Sequence, residues 1–250
     1  MKNNLPRLVK LLRENAERPR NYRIENAASD EATILMYDVI GMDFWTGEGI
    51  TAKAFADAVS STKATTIHLR MNSPGGDVFE ARAIVAQMQA KQAQGVKFIG
   101  HVDGWAASAM SVVAVNCDSL EMAPGSFLMV HNAWTVAIGN QSDMEATAQL
   151  LAKIDGTIAD DYSARSGATP AQAKAWMDAE TWFTADEAVA VKMADTIGPD
   201  APKNVAKWNL SAYENAPAAQ TEPEPDTIEH DAKALREANE RRLALIEQIA

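Results

Sequence analysis

Two glycine-rich segments follow strand-like runs and have the composition of an acyl-transfer site. The first, Asn72-Ser-Pro-Gly-Gly76, comes after residues 65–71, and the second, Gly104-Trp-Ala-Ala-Ser108, comes after residues 96–102. A glycine turn lets backbone N–H groups approach a ligand closely, and such groups stabilise an oxyanion. A serine between a strand and a helix has an accessible hydroxyl near the positive end of the helix dipole. The two segments together indicate a serine nucleophile beside an oxyanion hole.

The chain also offers a histidine and two carboxylates at positions where they could activate such a serine. A nucleophilic serine needs a base, and the base needs a group that orients it. His131 ends the apolar run at 127–130, so we expect it at the end of a strand. Asp178 and Glu180 precede a predicted helix, and either could orient the base. The remaining histidines fall inside predicted strands or in a polar tail: His68, His101 and His230.

In this order along the chain, the motifs resemble those of the ClpP family, the proteolytic subunits of Clp proteases. Members of that family carry Asn-Ser-Pro-Gly-Gly after a strand, then Gly-x-Ala-Ala-Ser, then a Met-x-His segment. An acid before an aromatic-x-Ser/Thr-Ala segment follows. The last two motifs correspond here to Met129-Val-His131 and Glu180-Thr-Trp-Phe-Thr-Ala185. The similarity covers roughly residues 33–198 and includes all four motifs.

The resemblance implies a role for each of the matched residues. Ser108 would be the nucleophile, His131 the general base and Glu180 the orienting acid. The backbone N–H groups of Gly76 and Ala109 would form the oxyanion hole. The family usually has aspartate at the acid position, so Asp178 stays open as an alternative to Glu180.

The same resemblance implies a serine endopeptidase that binds its substrate as an extended peptide and uses neither a cofactor nor a metal ion. The peptide would pair with the segments that follow Gly76 and His131, a β-augmentation mode. The substrate-binding residues would then be Gly75, Asp77, Val78, Asn132 and Trp134.

Alternating strand-like and helix-like segments between residues 33 and 131 predict an α/β fold with layered sheet and helices. The resemblance specifies a spiral of ββα units shared with the crotonase superfamily, and residues 141–166 as a long "handle" helix between rings. We expect four regions in the chain. They are a basic arm or helix at 1–30, the protease domain at 31–200, a flexible acidic Pro/Ala-rich linker at 201–226 and a charged C-terminal helix at 227–250.

The composition of the chain limits which partners it could bind and in which cellular compartment it could work. The net charge of −11 disfavours nucleic acid. There is no apolar run long enough to span a membrane, and we see no signal peptide in the basic N-terminus. The single cysteine, Cys117, suits a reducing cytoplasm and is expected to be a small buried side chain.

Finer similarities concern the biological role. Ile50-Thr-Ala-Lys-Ala-Phe-Ala56, residues 180–184 and the charged C-terminal extension resemble ClpP-related head maturation proteases of tailed phages and prophages. That resemblance implies cleavage of scaffold or capsid proteins by a homo-oligomeric ring or double ring, in the host cytoplasm or the assembling prohead. One alternative is a housekeeping Clp subunit fed by a partner AAA+ ATPase, because the chain has no nucleotide-binding loop motif of its own. A crotonase-like acyl-CoA enzyme and a non-catalytic ring or scaffold subunit also stay open.

Overall fold

The computed structural model describes residues 6–26, 28–201 and 207–217, and the predicted helix at 227–250 lies outside them. The described residues form eight strands: β1 (Asn21–Glu25), β2 (Glu31–Tyr37), β3 (Thr66–Ser73), β4 (Lys97–Ala107), β5 (Ser119–Met122), β6 (Phe127–Val130), β7 (Thr181–Thr184) and β8 (Thr196–Ile197). They also form seven helices: α1 (Arg7–Glu14), α2 (Ala52–Ser60), α3 (Val78–Gln92), α4 (Ala109–Val115), α5 (Gln141–Ser166), α6 (Pro170–Asp178) and α7 (Ala185–Ala190). None of these helices is long and apolar enough to cross a membrane.

The strands form one mixed sheet in the order β1-β2-β3-β4-β5-β8, and this confirms the predicted α/β class. Most neighbours are parallel, whereas β1–β2 and β6–β7 are antiparallel. The long strand β4 has two successive partners on one side. Its first half pairs with β5, from Ile99 to Val102, and its second half pairs with β6, from Trp105 to Ala107. The second half of β4 therefore leads the chain out of the main sheet and toward β6 and β7.

Local sequence signals explain where the main helices begin and end. Thr51 accepts a hydrogen bond from the N–H of Ala54 at the start of α2. A reciprocal capping box between Asn140 and Asp143 begins α5, and Gly167, with φ of 76°, ends it. The predicted bounds of α5 agree with the structure. Strand β4 is longer than the predicted 96–102, because it continues through Gly104 to pair with β6.

Two apolar cores lie on opposite faces of the sheet. The larger core packs helices α2 to α5 against the sheet, and β4 contributes its even-numbered residues Phe98, Val102 and Ala106 to it. The smaller core takes the odd-numbered Trp105 and Ala107 of β4, together with side chains of α1, β6 and residues 207–217. This alternation follows from the two-residue period of a strand. The tight packing of residues 207–217 differs from the flexible linker predicted across 201–226.

Candidate active site

Strand register brings the predicted functional segments to one edge of the sheet. Ala107 pairs with Met129, so the residues that follow β4 and β6 leave their strands side by side. Ser73 pairs with Ala106, which places the following glycine turn next to the end of β4. Val130 pairs with Thr181 in the antiparallel β6–β7 ladder, so the residue before β7 lies beside the end of β6. The four segments are therefore brought together by hydrogen-bonded ladders.

Ser108 occupies a sharp, strained turn between β4 and α4. Its φ and ψ are 53° and −122°, a backbone conformation that side-chain-bearing residues rarely adopt. The Ser108 N–H donates to the carbonyl of Met129 at 3.0 Å, which fixes the turn against β6. This turn places Ser108 in the lining of a groove, directly before the N-terminus of α4.

His131 lies within hydrogen-bonding distance of that hydroxyl. Its Nε2 is 2.7 Å from Ser108 Oγ, and its ring contacts the edges of Trp134 and Tyr213. Burial, aided by the positive charge of Arg7, lowers the pKa of His131 to about 3. The imidazole is therefore neutral at pH 7 and is able to accept the proton of Ser108.

The glycine turn supplies backbone donors close to the serine. Ile40 forms a bridge with this turn: its N–H donates to the carbonyl of Gly75, and its carbonyl accepts from the N–H of Asp77, both at 2.8 Å. The N–H of Gly76 takes no part in this bridge, and Gly76 lines the groove. A Cβ on Gly76 would lie 2.1 Å from the Ile40 oxygen, so the close approach requires glycine. Ala109 is the first residue of α4, and its N–H has no acceptor within the helix.

The two candidate acids occupy different environments. Glu180 is buried, with only 7% of its surface exposed, and lies beside β6 in a left-handed backbone conformation with φ of 46°. Its Oε1 accepts hydrogen bonds from the backbone N–H of Asn215 at 2.7 Å and from Trp182 Nε1 at 3.4 Å. Among the described residues these donors, and not His131, are its hydrogen-bond partners. The Asp178 side chain is 55% exposed. Hydrogen bonds from Asn132 and Lys174 lower its pKa.

The groove beside Ser108 has a volume of about 620 Å³, and several predicted substrate-binding residues line it. Asp77, Val78 and Trp134 form part of its wall. The Asp77 carboxylate caps α3 by accepting from the N–H groups of its first turn, so this side chain has a structural partner. The Asn132 side chain is engaged with Lys174 and Asp178. Gly75 lies directly under the serine, where an added Cβ would be 2.6 Å from Ser108 Cβ.

Three residues at this site were not anticipated from the sequence. Arg7 of α1 lies 4.0 Å from the Glu180 carboxylate and stacks over the Trp134 ring. Tyr213 is buried against His131, and the Asn215 N–H binds Glu180. The only sequence signal for the last two was the presence of aromatic residues in a stretch otherwise typical of a linker.

Serine peptidases are built in this way, with a neutral histidine activating a serine beside free backbone donors, and the fold and site place the chain among them. The chain belongs to the Clp protease family, whose sequence model matches residues 15–200. The ATP-dependent Clp protease proteolytic subunit of Streptococcus gordonii is 33% identical over 147 residues, which are 57% of this chain and 72% of that protein. The subunit of the same name from Bacteroides fragilis is 30% identical over 159 residues, 62% of this chain and 74% of that protein. The corresponding subunit from Porphyromonas gingivalis is 30% identical over 159 residues, 62% of this chain and 69% of that protein.

Proposed function

We propose that the chain is an endopeptidase whose catalytic residues are Ser108, His131 and Glu180. The observation that carries the proposal is the 2.7 Å contact between His131 Nε2 and Ser108 Oγ, formed by an imidazole that burial keeps neutral. A nucleophile and a base at this distance are able to transfer a proton as the nucleophile attacks. Glu180 supports the proposal as the buried carboxylate of the pair, whereas Asp178 lies in solvent.

In the reaction, Ser108 Oγ attacks the carbonyl carbon of the scissile peptide while His131 Nε2 takes its proton. The N–H groups of Gly76 and Ala109 hold the negative oxygen of the tetrahedral intermediate. The protonated imidazole then gives its proton to the departing amine, and an acyl ester on Ser108 remains. Water, deprotonated by His131, hydrolyses the ester. Glu180 stabilises the positive charge that develops on the imidazole in both steps.

The groove supports an extended, apolar peptide as substrate. Several large apolar side chains around its wall are exposed to solvent: Met42, Phe44, Phe79, Val136, Ile138 and Leu150. An exposed apolar lining next to a nucleophile favours chains that present apolar side chains, as unfolded or flexible segments do. The backbone after Gly76 and His131 would pair with such a segment, with Gly75, Asp77, Val78, Asn132 and Trp134 along its path.

Helix α5 and the residues after the family match support a more specific proposal about assembly and biological role. Only the C-terminal half of α5 is buried, and its N-terminal half projects with exposed Met144 and Leu150, which favours a contact with another copy in a ring. Residues 201–250 extend beyond the family match and include the acidic stretch after Asn215. This extension supports a role in capsid maturation, with the tail as an address for a co-assembling scaffold or capsid protein. The relatives, which are named as ATP-dependent subunits, favour the alternative of a partner AAA+ ATPase.

Labelling with a fluorophosphonate probe tests the catalytic proposal without any knowledge of the substrate. The wild-type protein should be labelled, and Ser108→Ala should lose both labelling and hydrolysis of casein, with a fall of several powers of ten. Ser111→Ala is the matched control and should be labelled like the wild type, because Ser111 is a buried serine of α4 whose hydroxyl is engaged with the Ser108 carbonyl and Tyr162. Equal labelling of wild type and Ser108→Ala would remove Ser108 from the mechanism.

A second experiment separates the two biological roles. Purified protein is incubated with casein and with scaffold and capsid proteins from tailed-phage assembly, with and without a bacterial AAA+ unfoldase and ATP. Cleavage of assembly proteins in the absence of nucleotide supports capsid maturation. Protein cleavage that appears only with the unfoldase and ATP supports the housekeeping role instead.

A further inference from the structure

Residues 207–217, called the C-terminal strap here, lie beyond the family match at 15–200 but are packed into the active site. Trp208 and Leu210 are fully buried in the smaller core, and Tyr213 is 5% exposed. The Trp208 indole donates to the carbonyl of Asn72 at 2.9 Å, in the segment that leads into the glycine turn. The strap is therefore attached to the same segment that supplies the oxyanion donor.

Helix α1 holds the strap in place from the other side. The Asn15 side chain exchanges two hydrogen bonds with the backbone of Asn209, at 2.7 and 2.8 Å. Ser211 Oγ donates to the Glu14 carboxylate at 2.7 Å, and its carbonyl accepts from Lys10 at 3.1 Å. These bonds fix the strap along its length, so that its last residues reach the catalytic centre in a defined position.

Tyr213 links the strap to the general base and to the glycine turn. Its hydroxyl donates to the Pro74 carbonyl at 2.5 Å, directly before the two glycines. Its ring stands edge-on to His131 with 5.4 Å between the ring centroids. Burial raises the pKa of Tyr213, so the hydroxyl keeps its proton and acts as a donor.

Asn215 makes the corresponding contact with the acid. Its backbone N–H donates to Glu180 Oε1 at 2.7 Å, and its side-chain amide donates to the Ala179 carbonyl at 2.9 Å. The first bond holds the Glu180 carboxylate, and the second holds the backbone of the preceding residue. Glu180 itself has a left-handed φ. The acid position carries glutamate, whose extra methylene gives the carboxylate more freedom than an aspartate would have. A fixed donor at Oε1 removes that freedom.

We propose that Tyr213 and Asn215 are positioning residues and that the strap completes the active site. Tyr213 holds the Pro74–Gly75–Gly76 turn at the height where the Gly76 N–H meets the oxyanion. Asn215 holds the Glu180 carboxylate next to the end of β6, the strand that leads into His131. This inference rests on the proposed catalytic roles of Ser108, His131 and Glu180.

Two variants test the role of the strap through different effects on kcat and on the pH profile. Both are measured with casein as substrate and with the fluorophosphonate probe. Tyr213→Phe keeps the ring but removes the donor to Pro74, so kcat should fall on the order of tenfold to a hundredfold while KM changes little. The acid limb of its pH profile should not move, because the imidazole keeps its surroundings. Asn215→Pro removes the N–H, so kcat should also fall. Its acid limb should move to higher pH, because a carboxylate freed from its donor favours the protonated imidazole.

Controls keep these effects apart from loss of stability. Thr184→Ala removes the N-cap of α7 at the end of β7 that lies away from Glu180, so its melting temperature should fall while kcat and the acid limb stay at the wild-type values. Asn215→Ala retains the backbone N–H, so its acid limb should stay in place. If Asn215→Pro does not fold, Tyr213→Phe decides alone, since it conserves the buried ring.

Wild-type kcat in both Tyr213→Phe and Asn215→Pro would overturn the inference. So would a rise of kcat in Asn215→Pro, which would make the strap an inhibitor of the site. Ser108→Ala is measured in parallel. If it loses activity while the two strap variants behave as wild type, only the role of the strap fails. If Ser108→Ala turns over normally, the proposed catalytic function fails instead.

Discussion

Gly75 packs directly against the nucleophile, and Gly75→Ala tests whether the position of Ser108 controls the rate. An added Cβ would lie 2.6 Å from Ser108 Cβ and 2.8 Å from the Ala107 oxygen. Carbon atoms that are not bonded prefer about 3.5–4.0 Å, so the serine would have to move by about 1 Å. A displacement of that size typically costs about a hundredfold in rate, which is about 2.7 kcal/mol of activation free energy.

Gly95→Ala is the matched control for the backbone. Gly75 and Gly95 have φ of 96° and 91°, and a Cβ on Gly95 would meet no atom within 4 Å. Both variants should lose about 1–2 kcal/mol of folding free energy from the left-handed conformation, seen as a lower melting temperature. Only Gly75→Ala should also lose about a hundredfold in the rate of fluorophosphonate labelling. If the two variants are labelled equally fast while both are folded, the reasoning from the contact to the rate is refuted.

Four further predictions concern the base, the acid and assembly, two of them for the base. Since burial lowers the pKa of His131 to about 3, the labelling rate should stay constant from neutral pH to well below the ordinary value of about 6.5; an acid limb near 6.5 would contradict this environment. Between pH 6.5 and 3 His131 binds a proton in the unfolded chain but not in the folded protein. The free energy of unfolding, measured by chemical denaturation, should therefore fall as the pH falls through this range. Glu180→Gln should slow hydrolysis because a neutral amide does not stabilise the imidazolium, and Asp178→Asn should change it little; the reverse order in peptidase assays would exchange the two roles. Leu150→Glu in the exposed half of α5 should shift light scattering toward smaller species, and an unchanged mass would exclude this face from the ring contact.

The sequence predicted the parts of the site that depend on local signals. The glycine turn, the serine turn and His131 each end a strand, and parallel strands carry their ends to one edge of the sheet. The short strands β7 and β8 were not predicted from the sequence, because a short run carries too few residues to show a period. The equally short β6 was predicted, because its residues form a continuous apolar run. About fifty residues of chain separate β6 from β7, so the register of this pair depends on tertiary packing and not on a local turn.

The C-terminal strap shows why the rest could not be predicted. Its sequence between Ala201 and Pro217 is rich in small and polar residues, which is typical of a linker. Trp208 and Tyr213 are buried in the smaller core, which they share with Trp105 and Met129 from distant parts of the chain. No local pattern encodes such contacts. The sequence left open whether Glu180 or Asp178 is the acid for the same reason, since their burial depends on this packing.

Strand β4 has a further consequence for how the chain tolerates insertions. Between the pairs Met71↔Val102 and Ser73↔Ala106, β3 advances by two residues while β4 advances by four. The surplus in β4 is an even number, so the parity of inward and outward side chains is conserved on both sides of the irregularity. A single inserted residue near Gly104 would reverse that parity: Trp105 would be turned toward the larger core, and the serine would be carried about 3.3 Å along the strand away from its histidine. We therefore expect insertions of two residues here to be tolerated. After an insertion of one residue, we expect the first half of the sheet to fold while the catalytic edge is misplaced.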